Sequence, residues 1–225
     1  MDRMSTFRAF VPGLSHHIAH RGNNRGEVFR DADDRKAFLS MLEKAASECS
    51  VAIHGYVLMT THYHAQVTAF EADSLPRMTQ SLGSKYVRYF NKRHQRTGTL
   101  WEGRYRASLI TSPSHWFNSL RYIELNPVRA GLVENPADYH WSSYHANAEA
   151  AEDRLVTPHN LYMQLASHPR LRAERWAEIC RAALPERDAS TIREALRRCR
   201  NLGELQWTGR NDDDLEPPAA AKRVS

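Results

Sequence analysis

The sequence predicts an α+β fold, a four-stranded antiparallel sheet with two helices packed on one of its faces. Three observations lead there. The run from Val51 to Ala69 holds two stretches of strand formers that meet at Thr60-Thr61, which makes them an antiparallel hairpin. One segment before that hairpin and one after it carry apolar residues at spacings of three and four, the mark of amphipathic helices. A short strand-like segment precedes the first helix and another follows the second. With 225 residues, 41% of them hydrophobic, the chain is long enough to bury a core of this kind.

Residues 1 to about 13 read as irregular, ending at Pro12-Gly13, and Leu14 to His20 as the first strand. The basic, turn-rich run Arg21-Gly22-Asn23-Asn24-Arg25-Gly26 closes it. Asp31 or Asp33 can cap the first helix, whose buried stripe is Phe38, Met41, Leu42, Ala45 and Cys49. Val51 to Met59 is the second strand and Tyr63 to Phe70 the third. From Ser74 to about His94 a longer helix turns Leu75, Met78, Leu82, Tyr86, Tyr89 and Phe90 inward, with Lys85, Arg88, Lys92 and Arg96 on another face. Arg106 to Thr111 makes the fourth strand. The order β-α-β-β-α-β is the ferredoxin-like, RRM-like arrangement, which puts both helices on one face and leaves the other open for a site.

Ser112 is placed to cap a third helix with Pro113 at its first position. That helix is expected to stop near Asn126, because Pro127 disfavours helical geometry in the residue before it. Tyr122 and Asn126, four apart, share one face. Beyond Trp141-Ser142-Ser143-Tyr144 an Ala/Glu-rich connector at about 146 to 154 leads to two or three short helices over 158 to 203. Their exposed faces are expected to be basic through Arg170, Arg172, Arg175, Arg181, Arg193, Arg197, Arg198 and Arg200. The division expected is a catalytic domain at 1–145, a C-terminal helical extension at 146–207 and a disordered tail at 208–225, where Asp212-Asp213-Asp214 and two prolines stand.

Composition sets the setting. Lys and Arg number 31 against 26 Asp and Glu, a mild basic excess that permits a polyanionic partner. Cys49, Cys180 and Cys199 lie far apart with no C-x-x-C, which argues against a disulfide framework or a thiolate zinc site. No signal-like N-terminus or apolar run of eighteen residues is present, so a cytoplasmic protein without a membrane partner is expected.

The chemistry concentrates around Thr60-Thr61-His62-Tyr63-His64-Ala65-Gln66-Val67-Thr68-Ala69. At strand period His62, His64, Gln66 and Thr68 share one face, while Tyr63, Ala65, Val67 and Ala69 face the core. Two imidazoles two residues apart on a strand can share one cation, though H-x-H pairs also occur as ordinary half-buried strand residues. A second cluster interleaves cations with aromatics, Arg93, His94, Arg96, Trp101, Arg104, Tyr105 and Arg106, a mixture suited to phosphates and unstacked bases.

Several stretches together resemble the HUH superfamily of single-tyrosine transposases, most closely the REP-associated tyrosine transposases of bacteria. They are Ser15 to Phe29 with its Arg21-Gly22-Asn23-Asn24, Tyr56 to Val67, Trp101-Glu102-Gly103-Arg104-Tyr105, the run from Arg121 to Val133, and Trp141-Ser142-Ser143-Tyr144. The resemblance implies that His62 and His64 hold a divalent cation, Mg²⁺ or Mn²⁺, with Asn126 completing the site, and that Tyr122 is the nucleophile. Attack by Tyr122 would give a 5′-phosphotyrosine and a free 3′-hydroxyl. The chain departs from the family in Thr60-Thr61, where Pro-Asn is usual, and in Ala65-Gln66, where aliphatic residues are usual; both flank the metal site. The substrate implied is single-stranded DNA at the foot of small hairpins, the REP-like repeats. Arg21, Asn23, Lys85, Arg88, Lys92, Arg93, Arg104 and Arg106 would grip the backbone, with Trp101 or Tyr105 stacking on a base. A rolling-circle-type nickase and a single-strand-binding regulatory module without cleavage are the competing readings. A small-phosphate metallo-hydrolase lacks a closed pocket. A monomer is expected, since the added C-terminal helices can cover the surface through which insertion-sequence relatives dimerise.

Overall fold

The computed structural model of the protein describes residues 11–202. β1 (Ser15–Arg21), α1 (Ala32–Glu48), β2 (Val51–Met59), β3 (His62–Ala69), α2 (Ser74–Arg93) and β4 (Arg106–Leu109) follow in the expected β-α-β-β-α-β order. The sheet order is β2-β3-β1-β4, with every strand pair antiparallel. β3 starts one residue earlier than expected and so includes His62, and regular pairing in β4 ends at Leu109, after which Ile110 pairs with Leu202.

One face of the sheet is the expected core. Tyr63, Ala65, Val67 and Ala69 from β3 meet Phe38 and Leu42 of α1 and Leu82, Tyr86 and Phe90 of α2, all buried. Of the two candidate caps Asp31 is the one used, accepting from the Asp34 amide at 3.0 Å. The two helices are clasped where α1 begins and α2 ends. The fully buried Asp34 carboxylate accepts from Arg93 (2.7 Å) and lies 2.9 Å from His94 Nε2. The Thr60-Thr61 tip is held from outside, since the amides of Val28 and Phe29 donate to Thr60 O and that of Gly22 to Thr61 O.

The opposite face, expected to be open, is covered. α3 (Pro113–Glu124) crosses it, capped by Ser112 as expected, and its apolar residues Trp116, Leu120 and Ile123 need burial just as the face's small residues provide room for them. Ile123 packs with Val57 and Met59. Gly55 admits the helix closely; a Cβ there would overlap the Leu120 Cδ1 methyl and stand 2.9 Å from Ser143 Oγ.

Pro127 does not end the helical path. α3 stops at Glu124, Leu125 breaks the regularity at φ −88°, ψ 3°, and a new turn, α4 (Asn126–Arg129), begins at once. Proline is tolerated there because the first turn of a helix has no intrahelical partner for its amide.

The expected connector at 146–154 is partly helical, as α5 (Tyr144–Glu149), followed by α6 (Asn160–Met163), α7 (Pro169–Arg181) and α8 (Glu186–Arg198). These helices share one core with α3, in which Trp116, Leu120 and Tyr122 meet Tyr162, Trp176, Ile192 and Leu196. Arg172, expected on an exposed basic face, is instead buried against the Tyr162 ring, Met163 Sδ and Ser167 O. Cys49, Cys180 and Cys199 are free thiols. No described helix is long and apolar enough to cross a membrane. The tail expected at 208–225 lies outside the described residues.

Candidate metal and nucleophile site

Antiparallel register assembles the site. β3 sets His64 opposite Ala19 and Gln66 opposite His17, while His62 stands opposite Arg21. His62, His64 and His17 therefore share the face that α3 covers. The His62 and His64 ring centroids are 5.1 Å apart at 85°. A cation about 2 Å from one nitrogen of each imidazole would hold two such rings on the order of 5 Å apart. Nδ1 of each ring is already engaged, that of His62 with Thr61 Oγ1 (3.0 Å) and that of His64 with His17 Nε2 (2.9 Å). Neither Nε2 makes a hydrogen bond among the described residues. The donor chemistry suits a cation: two imidazoles each held through Nδ1, with Nε2 spare. Among the described residues no three His, Cys, Asp or Glu side chains converge on one point, so a bound ion would depend on the pair and on amide or water oxygens.

Burial governs the electrostatics. Loss of hydration favours neutral imidazole, which lowers His62 to about 4 and His17 to about 3. His64 is pushed down by the same desolvation and then by His17, His62 and Arg21. All three rings are thus neutral near pH 7, the form a metal requires of its ligands.

Tyr122 sits in the last turn of α3, its ring 5.7 Å from that of His64 and 5.8 Å from that of His17. It is 6% exposed, and the Arg129 guanidinium lies 4.7 Å over its ring. Arg129 pairs in turn with Glu186 at the start of α8 (3.6 Å). Asn126, on the turn after the break, is half-buried and one helical turn on from Tyr122.

The expected DNA-contacting residues divide into two groups. Arg21 is exposed beside His62, and Asn23, Arg104 and Arg106 are exposed near the same end or edge of the sheet; Arg106 stands opposite Ala19 and donates to Arg197 O (2.8 Å). Lys85, Arg88, Lys92 and Arg93 lie on α2, across the sheet from the histidines. Lys85 pairs with Glu48 (3.5 Å), and Arg93 is engaged by Asp31, Asp33 and Asp34, so its charge belongs to the α1–α2 clasp. Trp101 is not an exposed stacking platform. The residue is 7% exposed, its ring stacked on His20 (4.4 Å, 15°) and packed among Tyr63 and Tyr86, where a large apolar ring gains most from burial. Tyr105 is half-buried against the same core.

Three residues of the site escaped the sequence reading. His17 needs the β1–β3 pairing to be seen, and Arg129 needs the turn after Pro127. Glu124 did carry a signal, a carboxylate four residues after Leu120 on the apolar side of a helix. It is fully buried, accepting from Ser143 Oγ (2.6 Å), Asn147 Nδ2 (2.7 Å) and Trp176 Nε1 (2.7 Å). Through these bonds the Trp141-Ser142-Ser143-Tyr144 run and α7 hold the tyrosine helix.

Comparison with known proteins identifies the family. A Haemophilus influenzae protein assigned as a REP-associated tyrosine transposase is 38% identical over 68 residues, 29% of this chain; the match spans 39% of that relative's length. A solved REP-associated tyrosine transposase bound to a REP hairpin superposes with a TM-score of 0.54 at 19% identity, over 69% of this chain and 93% of that one, a likeness of fold. A crystal structure assigned to a Deinococcus radiodurans transposase is more distant, with a TM-score of 0.38 at 17% identity over 49% of this chain and 89% of that one. Residues 10–126, from before β1 through the tyrosine helix to Asn126, match the family model described as Transposase IS200 like, and the chain belongs to that family.

Proposed function

We propose that this chain is a REP-associated transposase that cuts and transfers single-stranded DNA at REP-like hairpins through a 5′-phosphotyrosine on Tyr122. The observation that carries the reading is the convergence of His62, His64 and Tyr122 on one sheet face, with ring separations of 5.1 and 5.7 Å. Tyr122 Oη attacks the phosphorus, the bond from phosphorus to the 3′-oxygen breaks, the phenol proton leaves to solvent and the departing 3′-oxygen takes up a proton. One ester replaces another, so rejoining needs no outside energy. His62, His64 and Asn126 would hold a divalent cation, Mg²⁺ or Mn²⁺. Such a cation neutralises the phosphate oxygens and polarises phosphorus, worth several kcal/mol. His62 and His64 supply neutral nitrogens that leave the ion its charge, Arg129 orients the phenol ring, and Arg21 offers a cation to the incoming backbone beside the pair. The catalytic work is assigned to residues 1–145, with the helical extension, proposed as 146–207, buttressing α3 through its described residues 146–202. Because that buttress covers α3, we assign a monomer, which a sedimentation mass of two chains would overturn. The setting is the cytoplasm, on the nucleoid.

A second reading has its own support. Tyr122 is almost fully buried under Arg129, as suits a regulatory module that binds hairpins without cutting them. The deciding experiment mixes a single-stranded hairpin oligonucleotide, drawn from repeats flanking the gene, with wild type, Tyr122→Phe and His62→Ala in Mn²⁺ or EDTA. A covalent adduct on a denaturing gel, formed by wild type with metal alone, is the expected result. If all three proteins shift the DNA on a native gel and none forms the adduct, the binding module is the answer.

A further inference from the structure

His17 is fully buried on β1, and both of its ring nitrogens are engaged. Nε2 lies 2.9 Å from His64 Nδ1 and Nδ1 lies 3.0 Å from Ser119 Oγ on α3. Ser119 precedes Tyr122 by three residues, so the two lie on one side of the helix, and the His17 ring packs 5.8 Å from the Tyr122 ring. One imidazole thus touches the second histidine of the pair and the helix of the tyrosine at once.

The protons on this row are constrained. A neutral imidazole carries one N–H and one lone pair. If His17 Nε2 carried its proton toward His64, the proton of His64 would sit on Nε2 and that nitrogen would have no lone pair for a cation. If instead His64 Nδ1–H donates to His17 Nε2, then His64 Nε2 keeps its lone pair, and His17 Nδ1–H donates to Ser119 Oγ. Only this second order leaves His64 Nε2 ready for a cation.

We propose that His17 is a positioning residue: it holds His64 in the Nδ1–H tautomer and, through Ser119, fixes that ring relative to the helix bearing Tyr122. This inference rests on the metal reading above. Outer partners of metal-binding histidines set tautomer and orientation in this way, and their loss costs about 10- to 100-fold in metal affinity.

The test uses the full chain without DNA. Nitrogen-15 NMR of the imidazoles in the metal-free wild type should show His64 protonated at Nδ1; His64 protonated at Nε2 overturns the inference. Mn²⁺ titration calorimetry then compares wild type, His64→Ala, His17→Leu, His17→Gln and Ser119→Ala. His17→Leu should bind Mn²⁺ about 10- to 100-fold more weakly than wild type. His17→Gln, whose Oε1 can accept from His64, should recover most of the affinity, and a Gln variant as weak as Leu counts against positioning. Should His17→Leu fail to fold, the Gln variant and the tautomer carry the decision. Wild-type affinity in His17→Leu refutes the inference while leaving the metal reading intact. Absence of Mn²⁺ binding in wild type, or undiminished binding in His64→Ala, refutes the metal reading itself.

Discussion

Trp176 on α7 donates its indole N–H to Glu124 Oε2 at 2.7 Å, inside the core that α3 shares with the C-terminal helices. A charge-capable carboxyl in an apolar setting is tolerable when donors surround it, and Ser143 and Asn147 complete the ring of three. The four side chains come from α3, the turn at 141–143, α5 and α7, so one carboxyl aligns the tyrosine helix with everything packed behind it.

Removing that carboxyl should therefore be costly. Glu124→Ala takes the shared acceptor from Trp176, Asn147 and Ser143, leaving Ser143 only the longer contact to Tyr56 O, and about 1–3 kcal/mol of stability should be lost in urea denaturation for each donor left unpaired. Glu124→Gln keeps one acceptor and turns an amide N–H₂ toward a donor, at about 1–3 kcal/mol. Burial raises the Glu124 pKa above its ordinary 4.5. The folded state then holds the proton more tightly than the unfolded one, so this contribution is complete below pH 4.5 and declines as pH rises through the raised value. Wild type should lose stability relative to the Gln variant over that rise, and parallel curves for the two would contradict the assignment.

His54 should give the opposite slope. It lies in a directional row: Trp116 Nε1–H to Ser15 Oγ, Ser15 to Thr68, Thr68 to His54 Nε2, and His54 Nδ1–H to Thr157 O. Burial lowers it to about 4 despite the Thr157 carbonyl, with His159, 4.8 Å away, adding to the depression. Its contribution is full above pH 6.5 and is lost as pH falls toward 4, about 3 kcal/mol at roughly 1.4 kcal/mol per pH unit. His54→Gln should make the acid limb of the stability curve shallower by that amount between those limits, His17, His62 and His64 retaining the rest, as read from thermal melts across pH.

Two glycines should respond in opposite directions. Gly55→Ala forces β2 and α3 apart at Leu120, which should cost about 1–3 kcal/mol and slow adduct formation, because the tyrosine travels with its helix. Gly83 lies mid-α2, where a Cβ would meet Trp101 Nε1 at 3.7 Å, ordinary contact. Gly83→Ala should stabilise by up to about 1 kcal/mol through helix propensity. Differential scanning calorimetry of both variants decides the pair.

Arginine position should separate binding from folding. Arg21→Ala should weaken hairpin binding and reduce the salt slope by about one, since an exposed cation beside His62 faces the proposed strand. Arg93→Ala should leave that slope unchanged and lower stability by about 1–3 kcal/mol, because it strips a partner from the buried Asp34. Salt-dependent binding isotherms alongside melts would expose a reversal of the two roles.

The sheet, both core helices, the Ser112 cap and the division of β3 into a core face and a histidine face were legible from periodicity and cap chemistry, which are local. What stayed hidden was tertiary. Nothing in Ser15-His16-His17 tells which histidine meets His64 until β1 is paired with β3. The exposed-looking charges of α2 could not be distinguished from a binding stripe, because the carboxylates that hold Arg93 lie about 60 residues earlier. Trp101 read as a stacking surface since its neighbours are cations, yet its own area drives it inward. The covering of the histidine face by α3 was foreshadowed by Trp116, Leu120 and Ile123, an apolar stripe for which the expected two-layer fold had no place.

The β2 margin of the sheet is lined by the chain itself, and the β4 margin is capped at one end. Leu58 N donates to Trp141 O and Ser143 N to Tyr56 O along β2, where Val156 also pairs with Ile53, while Leu202 N donates to Leu109 O at the end of β4. Exposed strand edges are the usual template for unwanted pairing between proteins. A molecule that handles strands of nucleic acid thus offers little free backbone along β2 to strands of protein, and crowding many copies together should produce neither extended ribbons nor swapped hairpins through that edge.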